Sequence, residues 1–282
     1  MQSTHALGHL FAIGGAENKQ SAPAVLSKVM SLAPQGNNEV AVIATASSIP
    51  DDVLPAYERI FTHLGASRVH RLSAQTRDAA DCAENVRVIE SSGIIFFTGG
   101  DQLRLTSVLG GSALLAAVRE RFISGAVIAG TSAGAAALCS TMIYNGNAAD
   151  ALHKGAVNMS AGLGFVDGLI IDTHFLERGR FTRLMEVGAT NPEILGVGVG
   201  EDAAVIIHPD RVLEAIGPGH VILVDSRDLA RSNVAALAMG GAVAIEHVIM
   251  HALISGHGFD IDARSYLDPD ELEARLAASK SS

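Results

Sequence analysis

A chain of 282 residues is long enough for one large α/β domain or two small ones. Its formal net charge of −10 argues against nucleic acid as the main partner. Apolar residues reach 48% but aromatic residues only 4%, with no tryptophan, so the core is expected to be aliphatic, as in parallel sheets. Two cysteines, Cys82 and Cys139, stand in apolar or helical contexts and read as free thiols of a reducing compartment. The segment Met1-Gln2-Ser3-Thr4-His5 lacks the basic region and apolar core of a secretory leader. No apolar stretch reaches transmembrane length without interruption, so the expectation is a cytoplasmic chain with no membrane partner.

Apolar strand-like runs recur at 10–13, 40–44, 69–72, 94–97 and 126–129. Between them, 22–32, 53–64, 79–89 and 113–122 carry helical spacing. This alternation predicts β-α-β units, a mostly parallel sheet and helices on both faces. In such sheets chemistry gathers beyond the carboxyl ends of the strands. The second half changes character. A short buried run at 169–171 ends in Asp172-Thr173-His174, and Val197-Gly198-Val199-Gly200 leads into Glu201. Further strands are expected at 203–207, 211–215 and 220–224. Residues 240–253 have helical spacing and are expected to cover the sheet, and the tail from 276 to 282 is expected to fray. Repeats and linkers are absent from the pattern, so 1–282 reads as a single α/β domain.

Gly130-Thr131-Ser132-Ala133-Gly134 lies between the apolar run Ala126-Val127-Ile128-Ala129 and the small-residue run Ala135-Ala136-Ala137-Leu138. This is a strand, a sharp turn and a helix, with Ser132 at the apex of a G-x-S-x-G nucleophile elbow. Glycines flank the serine because the strained turn leaves no room for Cβ atoms beside it. The first helical N–H groups then aim at the point where a tetrahedral oxyanion forms.

A nucleophilic serine needs a base, and the base needs an orienting acid. His174 follows a buried strand, where a base would be presented; it also reads as a capping or core histidine. Glu201 follows Gly198-Val199-Gly200 in the same way; it also reads as a solvated turn carboxylate. The order Ser, His, Glu differs from the Ser, Asp, His order of α/β-hydrolases and points away from that fold. Arg178, Arg180 and Arg183 come directly after the candidate base. They suit bidentate capture of carboxylates, or else mark a solvated helix start. Gly99-Gly100 closes the strand before the elbow strand, so an N–H of Gly100 can complete an oxyanion hole with that of Ala133; a plain glycine turn is the alternative.

Other motifs are weaker. Gly14-Gly15-Ala16 lacks the dinucleotide-binding spacing, and a phosphate-binding G-x-x-x-x-G-K-[ST] loop is absent. His247 and His251 are spaced i, i+4 without the H-E-x-x-H arrangement, and they read as one face of a structural helix. The sequence therefore calls for no cofactor and no metal.

Four segments together resemble a known family. They are Phe97-Thr98-Gly99-Gly100-Asp101-Gln102, Gly130-Thr131-Ser132-Ala133-Gly134-Ala135, Asp172-Thr173-His174-Phe175 with Arg178, Gly179, Arg180 and Arg183, and Gly198-Val199-Gly200-Glu201-Asp202. They closely resemble the cyanophycinases, serine peptidases of the family that also holds the aspartyl dipeptidase called peptidase E. The resemblance runs from Ile13-Gly14-Gly15 to Gly258-Phe259-Asp260 and Arg264. It implies a flavodoxin-like fold similar to class I glutamine amidotransferases. It also implies a serine-type exopeptidase acting on cyanophycin, a poly-aspartate chain bearing arginine on each side-chain carboxyl, with β-Asp-Arg dipeptides as products. By matched position, Ser132 is the nucleophile, His174 the base and Glu201 the orienting acid. Asp172, Thr173, Arg178, Arg180 and Arg183 match the substrate pocket, with Asp101 and Gln102 beside the nucleophile. Thr173 and Gly200 stand where the family more often carries glutamine and aspartate, which bears on side-chain preference. Short β-aspartyl peptides, another α- or β-aspartyl dipeptidase activity, or a non-catalytic binding module on the same fold are the alternatives. A homodimer is implied by the resemblance alone.

Overall fold

The computed structural model describes residues 7–20 and 23–279. The expectations for residues 1–5, for residue 22 and for the last three residues of the tail lie outside the described residues. Among the described residues seventeen strands form in chain order: β1 Leu10–Ile13, β2 Val40–Ile43, β3 Val69–Leu72, β4 Ile94–Phe97, β5 Val127–Thr131, β6 Thr141–Asn145, β7 Asn158–Ala161, β8 Leu169–Thr173, β9 Leu195–Val199, β10 Ala204–Ile207, β11 Val212–Ile216, β12 Val221–Asp225, β13 Arg231–Ser232, β14 Ile245–Glu246, β15 Ile249–Leu253, β16 Gly258–Asp260 and β17 Ser265–Leu267. Nine α-helices accompany them among the same residues: α1 Ala24–Ser31, α2 Pro50–His63, α3 Arg77–Ala80, α4 Ala83–Ser91, α5 Gln102–Leu109, α6 Ala113–Ile123, α7 Ala133–Ala136, α8 Phe181–Thr190 and α9 Pro269–Ser279.

The main sheet has the order β17-β16-β11-β10-β1-β5-β4-β2-β3. From β1 to β3 every pairing is parallel, and from β1 to β17 every pairing is antiparallel. The parallel strands are continuous apolar runs because both faces are covered. Phe11, Ile13, Val40, Val42 and Phe96 meet α1 and α2 through Leu26, Leu54 and Phe61. The alternate residues Ala12, Ala41, Ile43, Ile95 and Phe97 meet Leu105, Leu109, Leu114 and Val118 on the other face. Each of the larger side chains among these is worth about 1.5–3 kcal/mol of burial, so the two-sided sheet gives a rigid base to the loops at its end.

A second sheet, β15-β12-β9-β8, adds its inner residues Leu169, Ile171, Val197, Val199, Val221 and Leu223 to the second of these clusters. Its outer residues Ile170, Ile222 and Val224 pack on Leu184 and Val187 of α8. This α/β architecture, with a parallel core and helices on both faces, is the expected fold class. Among the described residues no helix is long and apolar enough to cross a membrane. Cys82 and Cys139 are free thiols, and burial pushes the Cys139 thiol up to about 12.

Three expectations are corrected. Residues 240–253 form β14 and β15, with no helix there. The same spacing also alternates with period two, and β15 takes that option because antiparallel pairing with β12 satisfies its backbone. His247 and His251 therefore share no helix face: His247 sits at φ 71°, and the His251 ring packs 5.0 Å from Phe259. The tail up to Ser279 is helical, capped by reciprocal bonds in which Glu271 N donates to Asp268 Oδ1 and Asp268 N to Glu271 Oε2.

Candidate active site

Five strand ends converge on one point. Ser132 follows β5, His174 follows β8 and Glu201 lies just beyond β9, while the turns after β1 and β4 supply backbone. Ser132 has φ 51° and ψ −115°, the strained geometry of a nucleophile elbow. Close packing makes the turn small-residue only. A Cβ at Gly130 would lie 2.5 Å from Gly134 C, and one at Gly134 would lie 2.4 Å from Phe97 O.

The turn after β1 holds the other turns in place. Ile13 O accepts from Ser132 N at 3.0 Å, Gly14 O from His174 N at 2.8 Å and Gly15 O from Asp202 N at 3.0 Å. Ala16, Ser132, His174 and Asp202 all have φ near +50°, a conformation that costs energy outside glycine. Strain is concentrated where the geometry is most constrained.

Ser132 Oγ lies 3.0 Å from His174 Nε2, and His174 Nδ1 lies 2.7 Å from Glu201 Oε1. The histidine is largely buried and the Glu201 side chain is 39% exposed. A serine, an imidazole and a carboxylate in this chain of contacts can relay a proton and support the resulting imidazolium. Thr98 N donates to Ile43 O and Asp101 N to Ala46 O. Between them, no described carbonyl accepts from the N–H of Gly99 or Gly100. Ala133 opens α7, so its N–H has no intrahelical acceptor.

The polar residues expected around this centre divide by role. Asp172 is buried and ion-paired to Arg180 Nη1 through Oδ1 at 3.0 Å. Its Oδ2 lies 3.0 Å from Arg183 Nε, a charge contact outside hydrogen-bond alignment. Burial raises the Asp172 carboxyl, and the guanidinium groups of Arg183 and Arg180 pull it back toward ionisation. Arg180 Nη1 also donates to Thr173 O at 2.7 Å, and Arg183 Nη1 to Gly146 O at 2.9 Å. Arg178 is exposed. Asp101 caps α5 by accepting from Arg104 N at 3.0 Å, and Gln102 Nε2 donates to Ile143 O at 3.1 Å.

Beside Ser132 opens a cleft of about 350 Å³, whose walls include Gly15, Glu17, Lys19, Asp52, Tyr57 and Thr131. Sequence reasoning missed Glu17, Lys19, Asp52 and Tyr57 among them. They come from the loop after β1 and from α2, and neither carries a local motif.

Comparison with known proteins bears on the family and the fold. The sequence model of Peptidase family S51 matches residues 10–215. A protein of Nostoc sp. named cyanophycinase is 32% identical over 259 residues, covering 92% of this chain and 87% of its own. A cyanophycinase of Geminocystis herdmanii is 33% identical over 250 residues, covering 88% and 91%. The crystal structure of a peptidase from an acI-B1 actinobacterium superposes with a TM-score of 0.68 at 20% identity, over 91% of this chain and 98% of that one. A putative peptidase E protein from Listeria monocytogenes gives a TM-score of 0.52 at 19% identity, over 75% and 99%. Both structures carry the same α/β fold. With a family model spanning most of the chain and relatives matching it nearly end to end, the chain belongs to Peptidase family S51.

Proposed function

We propose that this chain is a serine peptidase that degrades cyanophycin to β-Asp-Arg dipeptides. The observation that carries the reading is the Ser132–His174–Glu201 relay, with contacts of 3.0 and 2.7 Å, on an S51 chain whose relatives bear the name cyanophycinase. A β-Asp-Arg product keeps its side-chain amide. The bond cut is therefore a main-chain amide between consecutive aspartates.

His174 Nε2 takes the hydroxyl proton as Ser132 Oγ attacks the main-chain carbonyl carbon. The imidazolium that forms is held by Glu201 at Nδ1. Charge developing on the carbonyl oxygen is met by the N–H groups of Gly100 and Ala133. His174 then protonates the departing amine. In the second half it deprotonates a water that attacks the acyl-serine, and a carboxylate leaves. The exposed Arg178 would meet the free carboxylate that each unit carries, while Asp172 fixes Arg180 and Arg183. A homodimer belongs to the same reading. Exposed Met250 and Ile254, on and just after the edge strand β15, offer a second copy an apolar surface.

Mass spectrometry of the soluble products from insoluble cyanophycin tests this. The β-Asp-Arg dipeptide is expected from the wild type and not from Ser132→Ala. Release of free arginine, or no product from unlabelled protein of a preparation in which a separate aliquot shows Ser132 reactive toward a fluorophosphonate, overturns the substrate assignment.

A further inference from the structure

Glu17 is buried in the wall of the cleft beside Ser132, yet its carboxylate is fully used. Tyr57 Oη donates to Oε1 at 2.5 Å and Thr131 Oγ1 donates to Oε2 at 2.7 Å. Burial, reinforced by Glu17, raises the Tyr57 phenol well above its usual range, so it remains a donor. The third partner is Lys19. Its ammonium lies 2.8 Å from Glu17 Oε1 and 4.8 Å from the centre of the Tyr57 ring, facing the same cleft as Ser132. A carboxylate and an aromatic face thus form a seat for one cation, and the chain's own lysine occupies it. The remaining charged group on the cleft wall is Asp52, exposed in the first turn of α2.

The charge layout is two-sided. None of Arg178, Arg180 and Arg183, which follow His174 in the chain, lines this cleft, whereas Glu17 and Asp52 do. We propose that this cleft is a guanidinium subsite, in which the side chain of a substrate arginine displaces Lys19 from the Tyr57–Glu17 seat and is met by Asp52 at the rim. Lys19 then acts as a tethered competitor, and it lifts the threshold for occupying the cleft to ligands that bring their own cation. This rests on the proposed cyanophycin reading for its choice of ligand. Each unit of that polymer carries a carboxylate for the arginine side and a guanidinium for the acidic side. Exchanging one cation for another leaves the Glu17 charge paired throughout, so no buried carboxylate is stranded. A planar guanidinium also stacks on a tyrosine ring better than an ammonium does.

Agmatine, which has a guanidinium and no carboxylate, is the direct probe. Its binding to the full chain is measured by calorimetry at low salt for the wild type, Lys19→Met and Asp52→Asn. Both positions reach the surface, so both variants are expected to fold. Removing the competitor should tighten binding about fivefold, and removing the rim carboxylate should weaken it about fivefold, as for exposed charge and cation–π contacts. The ratio of kcat/KM for β-Asp-Arg trimers over β-Asp-citrulline trimers should move the same way, up in Lys19→Met and down in Asp52→Asn. Weaker agmatine binding in Lys19→Met would mean that Lys19 itself holds substrate carboxylates, and would overturn the proposal. So would agmatine affinities that are equal in all three proteins. Failure of the cyanophycin reading shows separately, as absent dipeptide release with the agmatine pattern intact.

Discussion

The imidazole of His174 rests directly against the main chain of Gly15. A Cβ built on Gly15 would fall 2.3 Å from His174 Cε1 and 2.6 Å from Nε2, the atom that faces Ser132. Gly15 also has φ +105°, a conformation that side-chain-bearing residues rarely adopt. Gly15→Ala is expected to push the ring off the serine. A 1 Å misplacement costs on the order of 100-fold in rate, so kcat should fall by about that factor. Backbone strain adds about 1–3 kcal/mol of destabilisation. Steady-state kinetics alongside urea unfolding separates the two effects. An unchanged kcat in folded Gly15→Ala would show that His174 is not held by this contact.

Removing the nucleophile and removing the acid should differ in degree. Ser132→Ala is expected to abolish the covalent route and to lower kcat by several orders of magnitude, on the scale of about 10³ or more. Glu201 is partly solvated, so water can take over some of its work in Glu201→Gln. A fall of about 100-fold in kcat with little change in KM is expected. A Glu201→Gln protein with wild-type kcat would place the orienting acid elsewhere.

Arg183 and Arg178 should separate cleanly in their effects. The Arg183 side chain is only 5% exposed, beside a carboxylate that is 3% exposed. Arg183→Ala leaves Asp172 with Arg180 as its remaining charge partner and removes the clamp on Gly146 O. A stability loss of about 1–3 kcal/mol is expected, as for removing one partner of a buried polar group whose charge stays compensated. Lysine should recover little of it, because it cannot reach two acceptors with one planar fork. Arg178→Ala should leave stability within about 0.5 kcal/mol, as exposed substitutions do, while raising KM for cyanophycin fragments. Urea midpoints compared with KM values check this division. Equal effects of both substitutions on stability would refute it.

The parallel half of the sheet was readable because strands buried on both faces appear as unbroken apolar runs, as at Ile94–Phe97 and Val127–Thr131. The elbow and the residues after β8 and β9 were readable because glycine spacing marks the ends of buried strands. The helix expected at 240–253 failed for a reason visible in β15. Ile249, His251 and Leu253 face inward, while Met250 and Ala252 face out, and the same residues also satisfy helical spacing. Only pairing with β12 decides between the two. The α9 cap is written in Asp268-Pro269-Asp270-Glu271, but the polar residues around it mask the helix signal. Glu17, Lys19, Asp52 and Tyr57 had no readable signal, because they meet only after α2 packs over the sheet face beside the loop that follows β1.

Acid should weaken the fold through His9. This ring sits edge-on to His208 at 5.0 Å and its Nδ1 is buried without a hydrogen-bond partner. Burial first, and then the neighbouring His208, push the His9 imidazole down to about 4 from 6.5, while Glu214 and Asp210 pull up and Lys28 adds to the lowering. The folded state thus keeps His9 neutral where the unfolded chain already takes a proton. Stability from this site is complete above pH 6.5 and drains away as pH falls from about 6.5 to 4. The 2.5-unit gap corresponds to about 3 kcal/mol in all. Glu214 adds to the same trend at lower pH. It accepts from His208 Nε2 at 2.9 Å and pairs with Lys28 at 3.2 Å, and these contacts outweigh burial and hold its carboxyl below the usual range. Its contribution is lost only as pH falls through that depressed value. His9→Phe keeps the edge contact, removes the titration and relieves the unpaired nitrogen. Urea midpoints taken from pH 7.5 to pH 4.5 should fall steeply for the wild type and much less for His9→Phe. Parallel pH profiles for the two proteins would assign the acid sensitivity to other groups.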